Sequence, residues 1–200
     1  MRSQPPEDTK LLILPTHLVD KLKAIATRQG VSLSSFAAES LEQALRANEM
    51  DASLSDAVDA YRLSEIQRGA GMVDVPRSSL NHLVERLYAK KGKELRRVWG
   101  EAGHWYGEYL HAKLQPGEAL GFLEKELIVA WNLNEAEVKE SDVDVAIRWV
   151  SFAMTEEFTE LLLSYLSAVM DALGYREVER DSLRGMATLK YTRIGVKVTN

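Results

Sequence analysis

A set of aromatic side chains falls between residues 99 and 165: Trp99, Trp105, Tyr106, Tyr109, Phe122, Trp131, Trp149, Phe152 and Tyr165. Rings in that density suit a pocket for an apolar or aromatic ligand. They suit equally a packed core in which they fill space beside Gly103 and Gly107. On the ligand reading the candidate binding residues are Trp99, Gly103, Tyr106, Gly107, Phe122, Trp149 and Tyr165. His104 and His111 share a helical face and could hold a metal with Glu108 as third partner, although such spacing is common by chance. The acidic run Glu135, Glu137, Glu140, Asp142, Asp144 lacks the glycine and spacing of a calcium loop and reads as a solvated loop. The densest basic cluster is Lys90, Lys91, Lys93, Arg96 and Arg97, either a DNA-flanking patch or a solvated helix turn. No phosphate loop, nucleophile elbow or kinase signature is present. Neither an enzyme nor a cofactor is therefore expected.

Composition narrows the classes further. The chain has 200 residues, 46% of them apolar, so a packed core is expected and disorder is excluded as the main state. It has no cysteine, which removes disulfides, thiol nucleophiles and thiolate metal sites. The net charge of -5 argues against wholesale coating of nucleic acid but leaves room for a local DNA-binding face. No apolar run reaches membrane-spanning length and the first residues lack a secretory apolar stretch. A cytoplasmic protein is expected.

The elements that would position these residues follow from periodicity. Leu11 to Leu14 reads as a short strand stopped by Pro15. Thr16 is placed to cap a first helix with the stripe Leu18, Val19, Leu22, Ile25 and Ala26. Gly30 ends it, and Ser32 caps a second helix with the stripe Leu33, Phe36, Ala37, Ser40, Leu41, Ala44 and Leu45. One strand alone leaves its backbone groups unpaired. A second copy of the chain, its strand antiparallel to the first about a two-fold axis, would satisfy them.

Thr9-Lys10-Leu11-Leu12-Ile13-Leu14-Pro15, followed by Leu18, Leu22, Ile25-Ala26, Gly30 and Ser32-x-Ser34, resembles a ribbon-helix-helix DNA-binding domain over residues 8–48. The resemblance implies an intertwined homodimer whose two-stranded ribbon enters the major groove of double-stranded DNA. It turns Lys10, Leu12 and Leu14 inward and Thr9, Leu11 and Ile13 toward the groove. It places Ser32, Leu33 and Ser34 on phosphate, with Lys23 as a further anchor. Of the groove positions only Thr9 can hydrogen-bond a base edge. Leu11 and Ile13 offer no more than contact with a thymine methyl. Six basic and six acidic residues balance over residues 1–50.

Residues 49–76 read as a linker containing one helix, Ser53 to Gln67. Two helices are expected at Ser79–Lys90 and Lys93–Leu114, parted at Lys91-Gly92. A third helix is expected at Glu118–Trp131. Gly100, Gly103 and Gly107 each weaken a helix interior by about 1 kcal/mol relative to alanine, which points to close backbone approach along that side. Alternation from Asp142 to Val150 predicts a strand. A long apolar helix follows at Glu156–Leu173, capped by Thr155, and then a hairpin of Tyr175–Arg180 and Met186–Arg193. The tail is residues 194–200. The fold class is α+β, with helices packed on a small antiparallel sheet.

The run Leu95-x-x-Val98-Trp99, Gly103, Gly107, Leu110, the strand at 142–150, Leu173-Gly174-Tyr175, Val178 and Gly185 resembles the 4-vinyl reductase-like domain over residues 77–193. That group is described as binding hydrocarbons or other small molecules and is related to nitric-oxide-signalling and Golgi-trafficking ligand-binding domains. Its cysteine zinc site is ruled out, since Ser182 and Thr188 stand near those positions. Together the two resemblances imply a dimeric ribbon-helix-helix regulator with a C-terminal domain sensing an apolar small molecule. The alternative is a dimeric ligand-binding or adaptor protein that uses the first segment for assembly alone.

Overall fold

The computed structural model describes residues 12–195. The chain divides into two compact units, residues 1–61 and 62–200. The division falls inside the segment expected to be a linker.

In the first unit α1 spans Thr16–Gln29 and α2 spans Leu33–Glu49. Pro15 occupies the position before α1, and no side chain caps it, so Thr16 is a helical residue and not the cap. Proline fits there because its fixed φ already suits the entry and it has no N–H to satisfy. Gly30, at φ 70°, closes α1 in the left-handed region, and the N–H of Val31 bonds Ala26 O at 3.1 Å. The Ser32 hydroxyl accepts the N–H of Ser35 at 3.0 Å and starts α2. The third helix, α3, spans Leu54–Gly69. Ser53 and Asp56 cap it reciprocally: Ser53 N–H donates to Asp56 Oδ2 at 2.8 Å, and Asp56 N–H donates to Ser53 Oγ at 3.1 Å. Residues 12–15 hold no strand, and Thr9, Lys10 and Leu11 lie outside the described residues. The paired ribbon of the expected dimer is therefore not shown.

The second unit is α+β, with a four-stranded antiparallel sheet. The two helices expected at 79–90 and 93–114 run on as α4, Arg77–Lys113, with a kink where they were expected to part: Lys91 leaves helical geometry at φ -131°. Beside the kink the Tyr88 ring folds over Gly92 and its hydroxyl accepts from Arg96. Next, α5 spans Glu118–Val129, two residues shorter than expected. The sheet comprises β1 (Glu135–Glu140), β2 (Asp144–Val150), β3 (Tyr175–Leu183) and β4 (Met186–Arg193), in the order β1-β2-β4-β3. The acidic stretch expected as a loop is thus an edge strand. Ala136 and Val138 turn toward the core, the glutamates face water, and the outer N–H of Val138 donates to Glu124 Oε1 on α5 at 3.1 Å. Thr155 caps α6, Glu156–Ala172, by accepting the N–H of Phe158.

Alternation puts Val145, Ile147 and Trp149 of β2 and Ala187, Leu189 and Tyr191 of β4 on one buried face. They share one core with α6, which buries nine residues. On its other side α6 meets α4, and here the glycines act. A Cβ on Gly107 would stand 2.7 Å from Val169 O and 2.6 Å from Ala172 Cβ, and one on Gly103 would collide with the Tyr165 backbone. At Gly100 the nearest atom, Ser164 O, is 3.8 Å away. Replacing each by alanine separates crowding from helix propensity. Gly100→Ala is expected to stabilise the protein by about 0.5–1 kcal/mol. Gly103→Ala and Gly107→Ala are expected to destabilise it by about 1–3 kcal/mol, since rigid backbone must move. Urea denaturation of the three variants checks this.

Candidate functional site

A cavity of about 570 Å³ opens in the second unit. Its walls come from the end of α3, the loop at 71–76, the middle of α4, the end of α5 and the face of α6. The volume is in the range of small-molecule sites. Helical spacing explains the ring side. Trp99 comes from α4, Phe158 and Tyr165 come two turns apart from α6, and Trp131 follows the end of α5. Trp99 and Trp131 lie 5.7 Å apart, Trp99 meets Phe158 edge-on at 5.3 Å, and Trp131 meets Tyr165 at 5.2 Å. Val73, Val98 and Val129 leave apolar surface exposed around it.

Gln67, Asp74, Arg77, Glu126 and Asn132 interrupt this apolar surface, and Glu126 is the buried one. Glu126 of α5 has no water-accessible area yet stands on the cavity wall. Gln67 of α3 donates Nε2 to Glu126 Oε1 at 3.4 Å, a long and weak bond. Among the described residues, Glu126 Oε2 and the Tyr106 and Tyr165 hydroxyls make no hydrogen bond of good geometry, although the Tyr106 hydroxyl stands close enough to the Glu126 carboxyl to act on it as a donor. Burial pushes the Glu126 carboxyl up to about 7, while Tyr106 and Gln67 pull the other way. Burial likewise raises both phenols, and the neighbouring Glu126 adds to the rise. Arg77 is the one basic residue on the wall, and its Nη2 donates to the carbonyls of Trp131 at 3.2 Å and Asn132 at 2.6 Å.

Of the seven candidate ligand residues, Trp99 and Tyr165 line this cavity. Gly103 and Gly107 form the α4–α6 contact. Tyr106 and Trp149 are core residues, and Phe122 is half-buried against that core. Glu126 and Gln67 were missed. The signal for Glu126 was its spacing, three residues after Leu123 and six after Leu120, on a stripe that Leu127 continues. His104, Glu108 and His111 are exposed on α4, and among the described residues no group of three or more ligands could hold a metal. In the basic cluster Lys91 pairs with Glu94 and Arg97 with Glu101. In the first unit Ile13 is 87% exposed, Lys23 and Ser34 are exposed, and Leu33 is half-buried. The Ser32 hydroxyl is engaged in its cap. Among the described residues no helix is long and apolar enough to cross a membrane.

No family model and no curated protein matches the chain. Two solved structures are similar to part of it. One is described as probing the function of heme distortion in the H-NOX family, with 14% identity, 69% of this chain and 87% of that chain covered, and a TM-score of 0.40. The other is described as modulating heme redox potential through protein-induced porphyrin distortion, with 14% identity, coverage of 66% and 88%, and a TM-score of 0.37. A likeness of that extent assigns this chain neither a fold family nor a ligand.

The buried carboxyl makes stability depend on pH. A glutamate in the unfolded chain titrates near ~4.3, and Glu126 in the folded chain near about 7. Between those values the folded form holds a proton that the unfolded form has lost. Its contribution is neutral at low pH, turns unfavourable as pH rises through the window, and is fully unfavourable above about 7, by roughly 4 kcal/mol. The groups that act on it or are coupled to it are Gln67, Tyr106 and Tyr165. Glu126→Gln should come closest to the parent near pH 3.5, below the unfolded pKa, and exceed its stability by the largest margin near pH 8. Denaturation midpoints at the two pH values measure this, and an unchanged difference between them would exclude Glu126 as the source.

Proposed function

We propose that the protein is a dimeric small-molecule-sensing regulator. Its second unit binds a compact aromatic or apolar ligand in the Trp99–Trp131–Phe158–Tyr165 cavity. Its first unit joins two copies as a ribbon-helix-helix and contacts double-stranded DNA. The observation that carries the ligand reading is the cavity of about 570 Å³ walled by the contiguous rings of Trp99, Trp131, Phe158 and Tyr165.

Assembly is supported by what the first unit leaves open. Among the described residues of this unit only Ala26 and Ala47 are buried, while Leu18, Leu41 and Leu45 are exposed along the helical stripes. Two alanines cannot offset the entropy of ordering two helices. A second copy covering those leucines would. One observation favours the reading without DNA: exposed Ile13 has nothing to donate to or accept from a base edge.

Sedimentation equilibrium of the full chain should give a dimer, and Leu41→Asp with Leu45→Asp should give a monomer of much lower stability. A monomeric parent would overturn the assembly reading. Fluorescence polarisation with mixed duplex DNA should then show binding that weakens steeply with salt. A dimer that fails to bind at low salt would leave the adaptor reading standing. Ligand sensing would also require the ligand to favour the DNA-binding form differentially.

A further inference from the structure

The rings set what the body of a ligand must be, and the charge a ligand can reach beside them sets its polar end. Asp74, Arg77 and Glu126 stand on the cavity wall, and they are not equally reachable. Glu126 has no water-accessible area, so nothing that enters the cavity touches its carboxyl. Asp74 is an exposed side chain of the loop at 71–76, where water and salt screen its charge. Arg77, the first residue of α4, is half-buried, so its charge is screened less.

The Arg77 guanidinium is also held in place. Its Nη2 donates to the carbonyls of Trp131 at 3.2 Å and Asn132 at 2.6 Å, two residues of the same wall. Those bonds fix the head group beside Trp131, which belongs to the ring cluster. They do not neutralise it, because a carbonyl carries no net charge. They engage one nitrogen and leave Nε and Nη1 open. Among the described residues no carboxylate forms an ion pair with Arg77, and nothing accepts from those two nitrogens. A fixed, partly desolvated guanidinium with open donors is a complement for an anionic oxygen, and the bond it makes is charge-assisted. The adjoining rings would bury an aromatic body.

We infer that the cavity takes an aromatic carboxylate, its rings on the Trp99–Trp131–Phe158–Tyr165 wall and its carboxylate on Arg77. This rests on the ligand-binding reading above and adds the chemical class.

Isothermal titration of the full chain with three molecules of similar shape tests it. The probes are 3-(1-naphthyl)propionate, its neutral amide 3-(1-naphthyl)propanamide, and the cation 3-(1-naphthyl)propylamine. At neutral pH the propionate should bind on the order of 10-fold tighter than the amide, and the amine weakest of the three. Added salt should shrink the lead of the propionate over the amide. Arg77→Gln should bring the propionate and the amide within about twofold of each other by weakening the propionate alone. Equal binding of all three, or tightest binding of the amide or the amine, would overturn the carboxylate assignment and leave the cavity as a small-molecule site. A propionate preference that survives Arg77→Gln would overturn the role of Arg77. Binding of none at millimolar concentration would overturn the cavity reading itself. If Arg77→Gln does not fold, the parent's ranking and its salt dependence still decide.

Discussion

How closely α4 can approach α6 sets the geometry of the second unit. Gly107 brings the α4 backbone so near α6 that Val169 O occupies space a side chain would need, and Gly103 does the same one turn earlier at Tyr165. These contacts fix the register between the helices. That register places Trp99, one turn before Gly103, at 5.3 Å from Phe158. It also brings the Tyr106 ring to 6.1 Å from Tyr165. A slip of one turn along either helix would break both the close approach and the ring cluster. The conformational entropy lost by holding glycines in a helix is therefore offset by a seam that tolerates no alternative alignment.

The same seam explains why a carboxylate can be buried at all. Once α4 and α6 are locked, α5 has one remaining way to close the core, with Leu120, Leu123 and Leu127 turned inward. Glu126 is carried in with them because it shares their stripe. Its burial is a cost that the rest of the core must overcome, and the core can do so because α6 alone contributes nine buried side chains. A glutamine there would keep the shape and remove the cost. A carboxylate at this position is a chemical choice that packing does not explain.

Strongly periodic elements were legible in the residues. The stripe of α6, the alternation of β2 and β4, and the glycine-capped α1 all lie where their patterns put them. The α4–α6 approach was readable too, because three helical glycines need a reason. What failed to show had competing local signals. In β1 the two inward residues, Ala136 and Val138, are outnumbered by charges, and pairing with β2 overrides that composition. At Lys91-Gly92, by contrast, the break signal was legible: the chain kinks at Lys91, between two helical stretches of α4. The rings were legible as a set, yet nothing local separates Trp99 on the cavity wall from Trp149 in the core. That difference arises only when α5 and the loop at 71–76 are placed. Glu126 was hidden for a related reason: α5 carries three glutamates, Glu118, Glu124 and Glu126, and nothing local marks Glu126 as the buried one.

The first unit obeys a different constraint, and the contrast clarifies both. Its helices are well capped, by Gly30, Ser32 and the Ser53–Asp56 pair. Caps define where helices begin and end, but each contributes about 1 kcal/mol, far less than the ordering of some thirty helical residues costs. In the second unit burial supplies the balance. In the first, the stripe that would supply it is Leu18, Leu22, Ile25, Phe36, Leu41 and Leu45, and none of these side chains is fully buried. Local signals of this quality joined to an unfilled core are what a sequence shows when its folded state is completed by another chain. In the proposed dimer such a unit would be stable only at the concentration where it assembles, so its folding, dimerisation and DNA contact would rise and fall together.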